Sequence, residues 1–417
     1  MSFTSVVVEE QNNKRNQSDS FDSQEKTESL FQREPQPIPR VPSQQNVLLL
    51  PAPKQDYVFT PDHKVPQVQS DSELLVKVQT IGLNPIDWKA PDFGFGIPSL
   101  PYIAGRDVVG VIVKAPKAQS RVREGDIVIA ISTDYRDVRK AAFQEFTVSN
   151  YFNVCRVPSS ASRDASASVG VAFIAASLCL SICFGVDFSK LPGPGRGPDL
   201  LGLVRSLDRN SLPQDVVGEC FDAINVKEIP EPGQWIAIWG GSSTTAILLS
   251  QLAKFYGFRV IKVVDVGKHG ERLSQRGADL LVDSHDHARA VAIIRSVTGG
   301  KLRWAVDTIG RDTASKLAEP LQSEETDGKR SHLVGLSGVP KTPQPGVVFH
   351  SVPIKIHHEV QAVGEALMTW LEKLLARDII QLPDIEVDDG GLEGVNEALH
   401  RMRRGEISGK RLVVRVS

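Results

Sequence analysis

The residues best suited to chemistry are Trp239-Gly240-Gly241-Ser242-Ser243-Thr244-Thr245-Ala246. They follow the apolar run Trp235-Ile236-Ala237-Ile238 and precede Ile247-Leu248-Leu249-Ser250-Gln251-Leu252-Ala253. This order reads as a buried strand, a turn of small residues, then a helix. Such a turn aims free backbone N–H groups and a helix N-terminus at an anion. The next apolar run ends in Asp265. A strand–turn–helix–strand unit closed by an acid is how a dinucleotide cofactor is held. The three-glycine pattern is incomplete, however, and an ordinary α/β turn has the same small residues, so the rest of the chain must decide.

Other reactive side chains give weaker signals. Tyr135 lies in a polar loop, residues 132–141, where it can donate a proton or simply sit half-buried. The four cysteines (Cys155, Cys179, Cys183, Cys220) are too few for a disulfide framework. Cys179 and Cys183 stand one helical turn apart and read as core thiols. His285 with His287, and His357 with His358, lack a Cys or carboxylate cluster at ligand spacing, so no metal site is expected.

The bulk numbers bound the class. The chain has 417 residues, net charge −2, 41% hydrophobic and 24% charged residues. That fits a soluble protein of two domains and excludes a basic surface for nucleic acid or anionic membrane. Residues 1–45 are polar, rich in Gln, Ser, Glu, Asn and Pro, and read as a disordered tail without a targeting signal. Residues 165–186 carry no charge over a bilayer-spanning length. They are built of Ala, Ser, Gly and Cys, which suits a helix packed between domains. The expected setting is therefore the cytoplasm, with no membrane contact.

The elements that must position these residues fall into two textures. Residues 46–150 read as short strands with Gly and Pro punctuation. Residues 190–233 read as a long loop. From Gln234 strands and helices alternate: strands at 235–239, 259–264, 280–283, 302–307 and 332–336, helices at 246–256, 271–276 and 288–297. That rhythm predicts a doubly wound parallel sheet. Helices follow at 363–377 and 395–404, and a last strand at 412–416 returns to the first domain.

This organisation resembles the medium-chain dehydrogenase/reductase superfamily, over about residues 46–417. The resemblance rests on Leu83-Asn84-Pro85-Ile86-Asp87-Trp88-Lys89, Ile103-Ala104-Gly105-Arg106-Asp107-Val108-Val109-Gly110 and Glu124-Gly125-Asp126. It continues in Ala142-Phe143-Gln144-Glu145-Phe146, the 240–245 turn, Gly277-Ala278-Asp279 and Ile407-Ser408-Gly409-Lys410. Within the superfamily the chain is similar to the quinone oxidoreductase branch, and most of all to fungal trans-acting enoyl reductases that serve polyketide synthases. The implied architecture is a GroES-like β-rich domain (46–218 and 366–417) and a Rossmann NAD(P)-binding domain (219–365). Zinc members place Cys where this chain has Asn84, and a His-Glu pair where it has Arg106-Asp107. Arginine cannot ligate zinc, so the resemblance implies zinc-independent chemistry.

It further implies reduction of a C=C bond conjugated to a carbonyl. Lys89 is the expected catalytic or cofactor-orienting cation, and Tyr135 a candidate proton donor. Ile86, Asp87, Trp88 and Lys89 match the family's nicotinamide-ribose segment; Asp87 reads equally well as stabilising its turn. Ser242, Ser243, Thr244 and Thr245 match the phosphate-contacting turn. Family contacts also map onto Lys268 and His269, Ser284, Gly335 and Leu336, and Ser408 and Gly409. The family cofactor is NADPH; Asp265, which would accept a free ribose 2′-OH, leaves NADH open. Phe146, Phe173-Ile174 and Ser284 replace family hydroxyls or aromatics, which implies a more apolar pocket. The expected substrate is a small or carrier-bound enoyl or polyketide chain, with a polyketide synthase as partner and a monomer or homodimer as assembly. A general quinone or alkenal reductase has the same motifs, and a non-redox accessory protein could keep the fold.

Overall fold

The computed structural model describes residues 30–31, 38–322 and 328–416. The tail expected at 1–45 lies mostly outside the described residues. Its described end, Gln44 and Gln45, already opens the strand Gln44–Leu49, which pairs with Val58–Lys64.

The first lobe is built on a seven-stranded sheet. Its main path runs Ile385–Asp388, Arg411–Arg415, Glu73–Gly82, Asp107–Lys114, Ile127–Ile131, Val154–Arg156, and Phe146–Asn150 pairs with Glu73–Gly82. The strand Arg411–Arg415 lies antiparallel to Glu73–Gly82, with Val413 opposite Gly82. The end of the chain thus closes the lobe that its beginning opens. Seven of the eight residues of Asp107–Lys114 are buried, so its Val/Ile run faces packed layers on both sides.

The second lobe is a six-stranded sheet with only parallel pairings. Counting its strands along the chain, the spatial order is 3-2-1-4-5-6, the doubly wound order of dinucleotide-binding sheets. The first strand, Trp235–Trp239, lies centrally, between Arg259–Val264 and Trp304–Asp307. The turn that follows it therefore opens at the point where the winding reverses, where ligands bind in open α/β sheets.

Three expectations about elements need correction. The uncharged segment is not one helix. It divides into Arg163–Ser166, Gly170–Leu178 and a π-helical turn, Cys179–Cys183. The break has a local cause: Asp107 Oδ1 accepts the N–H of Val171 (2.8 Å) and so restarts the helix. Its middle piece packs between the lobes, and among the described residues no helix is long and apolar enough to cross a membrane. Residues 190–233 are not a loop but carry helices Leu200–Arg205 and Gln214–Phe221. Leu200, Leu201 and Val204, then Val216, Val217 and Cys220, sit at helical spacing and are buried. Finally, the helix expected at 271 starts at Val266, because Asp265 caps it through Lys268 N–H (3.0 Å).

The helix Gln361–Ala376 runs through the boundary expected at 365/366. Its buried Glu372 accepts the N–H of Arg156 (2.9 Å) and pairs with Arg121 (3.0 Å), which ties it to the first lobe.

Candidate active site between the lobes

A cleft of about 780 Å³ separates the two lobes. One wall is the 240–245 turn. Gly240 has φ +76°, and a Cβ there would lie 2.3 Å from Thr308 Oγ1. Thr308 fixes the turn by donating to Trp239 O and Gly240 O (3.2 and 3.1 Å) and accepting from Ser243 Oγ (3.1 Å). Ser243 caps the helix Thr244–Tyr256 by accepting from Ala246 N–H (3.2 Å). The first N–H groups of that helix have no carbonyl four residues back, and its dipole favours an anion there. Further along the wall, a Cβ on Gly335 would lie 2.4 Å from Gly338 O, so the 335–338 turn folds tightly beside the cleft. The close-packed glycine turns and the capped helix end suit a pyrophosphate and fit a dinucleotide.

The opposite wall belongs to the first lobe. The helix Pro85–Phe93 follows the strand Glu73–Gly82 after a two-residue turn, with Pro85 at its first position. Asn84 N–H donates to Asp87 Oδ2 (2.7 Å), which locks the turn. Ile86, Trp88 and Lys89 face the cleft, with Lys89 Nζ 5.6 Å from the Trp88 ring centroid. Arg106 is buried in the cleft floor, its guanidinium stacked 3.6 Å from the Tyr135 ring centroid. Arg106 Nη2 donates to Tyr102 Oη (3.2 Å), while its buried Nε has no hydrogen-bond partner.

Beneath this wall lies a buried ionic network. Arg411 Nη2 pairs with Asp107 Oδ2 (3.0 Å), to which Asn84 Nδ2 also donates (3.1 Å). Burial pushes the Asp107 carboxyl above its ordinary range, against the pull of Arg411. Burial likewise pushes Asp87 up to about 6, although the Asn84 N–H, Arg106 and Arg411 draw it down. Burial raises the Tyr135 phenol, so it holds its proton at neutral pH.

The structure gathers most of the candidate residues. Ile86, Trp88, Lys89, Tyr135, Ser242, Ser243, Thr244, Thr245, Gly335, Leu336, Ser408 and Gly409 all line the cleft. Five candidates lie outside its lining. Asp87 is buried below the wall and serves the turn. Ser284 follows the strand Leu280–Asp283, its N–H donating to Val264 O (2.8 Å). Asp265 is engaged as a helix cap, and Lys268 is exposed. His269 is buried, its Nε2 2.9 Å from Ser408 Oγ. Two candidates from opposite lobes thus hold each other. Burial, with Arg272 and Lys268 nearby, lowers the His269 imidazole.

Phe173 and Ile174 are fully buried; the interlobe helix presents Val171 and Ala175 to the cleft instead. Arg106 and Asn84 enter the sequence argument only against zinc, and Thr308, Ser351, Val352 and Arg411 carry no sequence signal that places them in the cleft they line. The signal that could have found Arg106 was present: a charged residue within an otherwise apolar strand approach.

Residues 70–160 match the alcohol dehydrogenase GroES-like domain family. A trans-enoyl reductase of a Penicillium species is 25% identical over 374 residues, covering 85% of this chain and 92% of that protein. The chain thus resembles medium-chain dehydrogenase/reductase proteins, fungal trans-enoyl reductases among them. Solved structures share the fold. A mycobacterial quinone oxidoreductase superposes with TM-score 0.64 at 18% identity, covering 89% of this chain and 100% of that one. A mycobacterial structure complexed with NADPH superposes with TM-score 0.65 at 17% identity, covering 89% of this chain and 100% of that one.

Proposed function

We propose that the protein is an NAD(P)H-dependent oxidoreductase that reduces a C=C bond conjugated to a carbonyl without zinc, as a trans-acting enoyl reductase in polyketide or related secondary metabolism. The observation that carries this reading is the cleft itself: a turn of small residues at a helix N-terminus faces Arg106, Tyr135 and Lys89. The likeness to trans-enoyl reductases supports the substrate class.

The Ser242–Thr245 turn would hold the cofactor's pyrophosphate, and residues 86–89 its nicotinamide end. When bound, the cofactor supplies a hydride. The chain must then stabilise the carbonyl oxygen of the substrate, which gains electron density as the double bond is reduced. Arg106 and Lys89 are cations on the cleft wall, and fixed charges of this kind stabilise developing negative charge. The unpartnered Nε of Arg106 marks a side chain with hydrogen-bonding capacity to spare. Tyr135 holds a proton beside Arg106 and can pass it to the α carbon, directly or through water. Arg106 thus occupies the place where zinc members hold a metal ligand and contributes a positive charge of its own.

NADPH is the preferred cofactor. Asp265 already accepts the Lys268 N–H as a helix cap, and Lys268 and Arg272 place positive charge around His269.

The test measures thermal stabilisation with NADPH and with NADH, then turnover with carrier-bound enoyl chains and with free quinones. Stabilisation by NADPH and reduction of the enoyl chain are expected. Turnover of quinones alone would point to a general quinone or alkenal reductase. Stabilisation by neither nucleotide would overturn the oxidoreductase reading in favour of an accessory protein.

A further inference from the structure

The edge of the parallel sheet holds a cluster that the cleft chemistry does not use. Cys183 ends the π-helical turn, Glu219 lies on the helix Gln214–Phe221, and His350 ends the strand Val347–His350. The three are far apart in sequence, yet one ligand atom from each lies within 4.8 Å of the others. Cys183 and His350 are fully buried, while the Glu219 side chain keeps 15% exposure.

We propose that Cys183, Glu219 and His350 bind one divalent transition-metal ion of the zinc class. Thiolate, imidazole and carboxylate together suit zinc or its congeners, whereas magnesium and calcium take oxygen ligands. The exposed side at Glu219 gives the ion a route in and leaves room for water as a fourth ligand.

The surroundings of His350 have the form of a metal ligand's support. Its Nδ1 faces Glu219 Oε1 at 2.5 Å, and its Nε2 faces His332 Nδ1 at 2.9 Å. His332 is buried, stacked on Trp304 with ring centroids 4.9 Å apart. Its Nε2 has no hydrogen-bond partner but lies 3.7 Å from Glu228 Oε2. The ring nitrogens of His332 and His350 share one hydrogen bond, and the 2.5 Å contact of His350 Nδ1 with Glu219 Oε1 holds a proton between them. Ligand atoms of one zinc ion stand about 3 Å apart or more, so the ion would take that proton's place as the Glu219 carboxylate moves back. A second ring nitrogen fixed by a hydrogen bond is the usual support of a metal-bound histidine.

Binding would release the Cys183 thiol proton and the proton shared by Glu219 and His350, with no oxidation or reduction. The ion would tie the 190–233 segment, through Glu219, to the strand that leads into Ser351 and Val352 on the cleft wall. This inference stands apart from the reading of the cleft, and it departs from the expectation of core thiols without a metal.

The test uses the full chain, stripped with a chelator and titrated with cobalt(II) and then zinc(II). One cobalt per chain is expected, with a thiolate-to-cobalt charge-transfer band that zinc abolishes. Cys183→Ser should lose the band, and Glu219→Gln, at the accessible edge, should weaken binding by about tenfold or more. His285→Ala, in the separate cluster with Asp265 and Asp283, should leave the spectrum unchanged. No stoichiometric uptake, a band retained in Cys183→Ser, full affinity in Glu219→Gln, or loss of the band in His285→Ala would each overturn the proposal. If Cys183→Ser does not fold, Glu219→Gln and His285→Ala decide it.

Discussion

Replacing Asp87 by Asn should make the protein more stable at neutral pH, because the native fold buries a charge that it would hold more cheaply as an acid. Asp87 is raised from 3.8 to about 6 by burial. The folded chain therefore binds this proton more tightly than the unfolded chain does. The stabilisation from that proton is complete below about pH 4 and is lost as pH rises through about 6. A difference of roughly two units corresponds to about 3 kcal/mol above that window. Asparagine has the shape of the protonated acid, and its Oδ1 can still accept the Asn84 N–H that Asp87 Oδ2 accepts at 2.7 Å. The help that Arg106 and Arg411 give the carboxylate is already contained in the net shift. Urea denaturation of the nucleotide-free protein, wild type against Asp87→Asn, from pH 4 to pH 8 measures this. The variant should match wild type near pH 4 and exceed it by about 3 kcal/mol at pH 7.5. A variant no more stable than wild type at pH 7.5, or a difference independent of pH, would refute the reasoning.

The other predictions concern the same walls. Arg411→Met strands the buried Asp107 carboxylate and should destabilise the fold by about 3–5 kcal/mol, seen as a lower urea midpoint at pH 7. Gly335→Ala puts a methyl group 2.4 Å from the Gly338 carbonyl oxygen, so the turn must open; the NADPH-induced thermal shift expected of wild type should be lost. Arg106→Leu removes the cation from the cleft floor and should lower kcat by roughly 10²–10³ while NADPH still stabilises the protein. An Arg106→Leu enzyme with unchanged kcat would place the electrophile elsewhere, with Lys89 the next candidate.

Much of the cleft could be read from local order. The 239–246 turn sits where the sequence places it because an apolar run, small residues and a helix face dictate strand, turn and helix without distant help. The return of the last strand was legible because Leu412, Val413 and Val414 need a buried sheet and the second lobe's sheet ends earlier. The 190–233 segment misled because its Pro/Gly-rich opening hid two short helices whose apolar residues are stabilised only by packing.

What the sequence determined by itself was the alternation of strands and helices from Gln234 onward, the small-residue turn at 240–245, and that Asn84 and Arg106 stand where zinc ligands would. What the tertiary structure alone decided was which polar groups meet. His269 bonds Ser408 across the lobes, Arg106 stacks on Tyr135, and Glu219 faces His350, each pair brought together over many intervening residues. The physical reason is one of range. Backbone propensity and apolar periodicity act over a few residues and are written into the chain. Burial, hydrogen bonding and charge shifts depend on neighbours supplied by folding, so the sequence reads Asp87 as a cofactor or turn residue, and only the fold reveals its buried carboxyl.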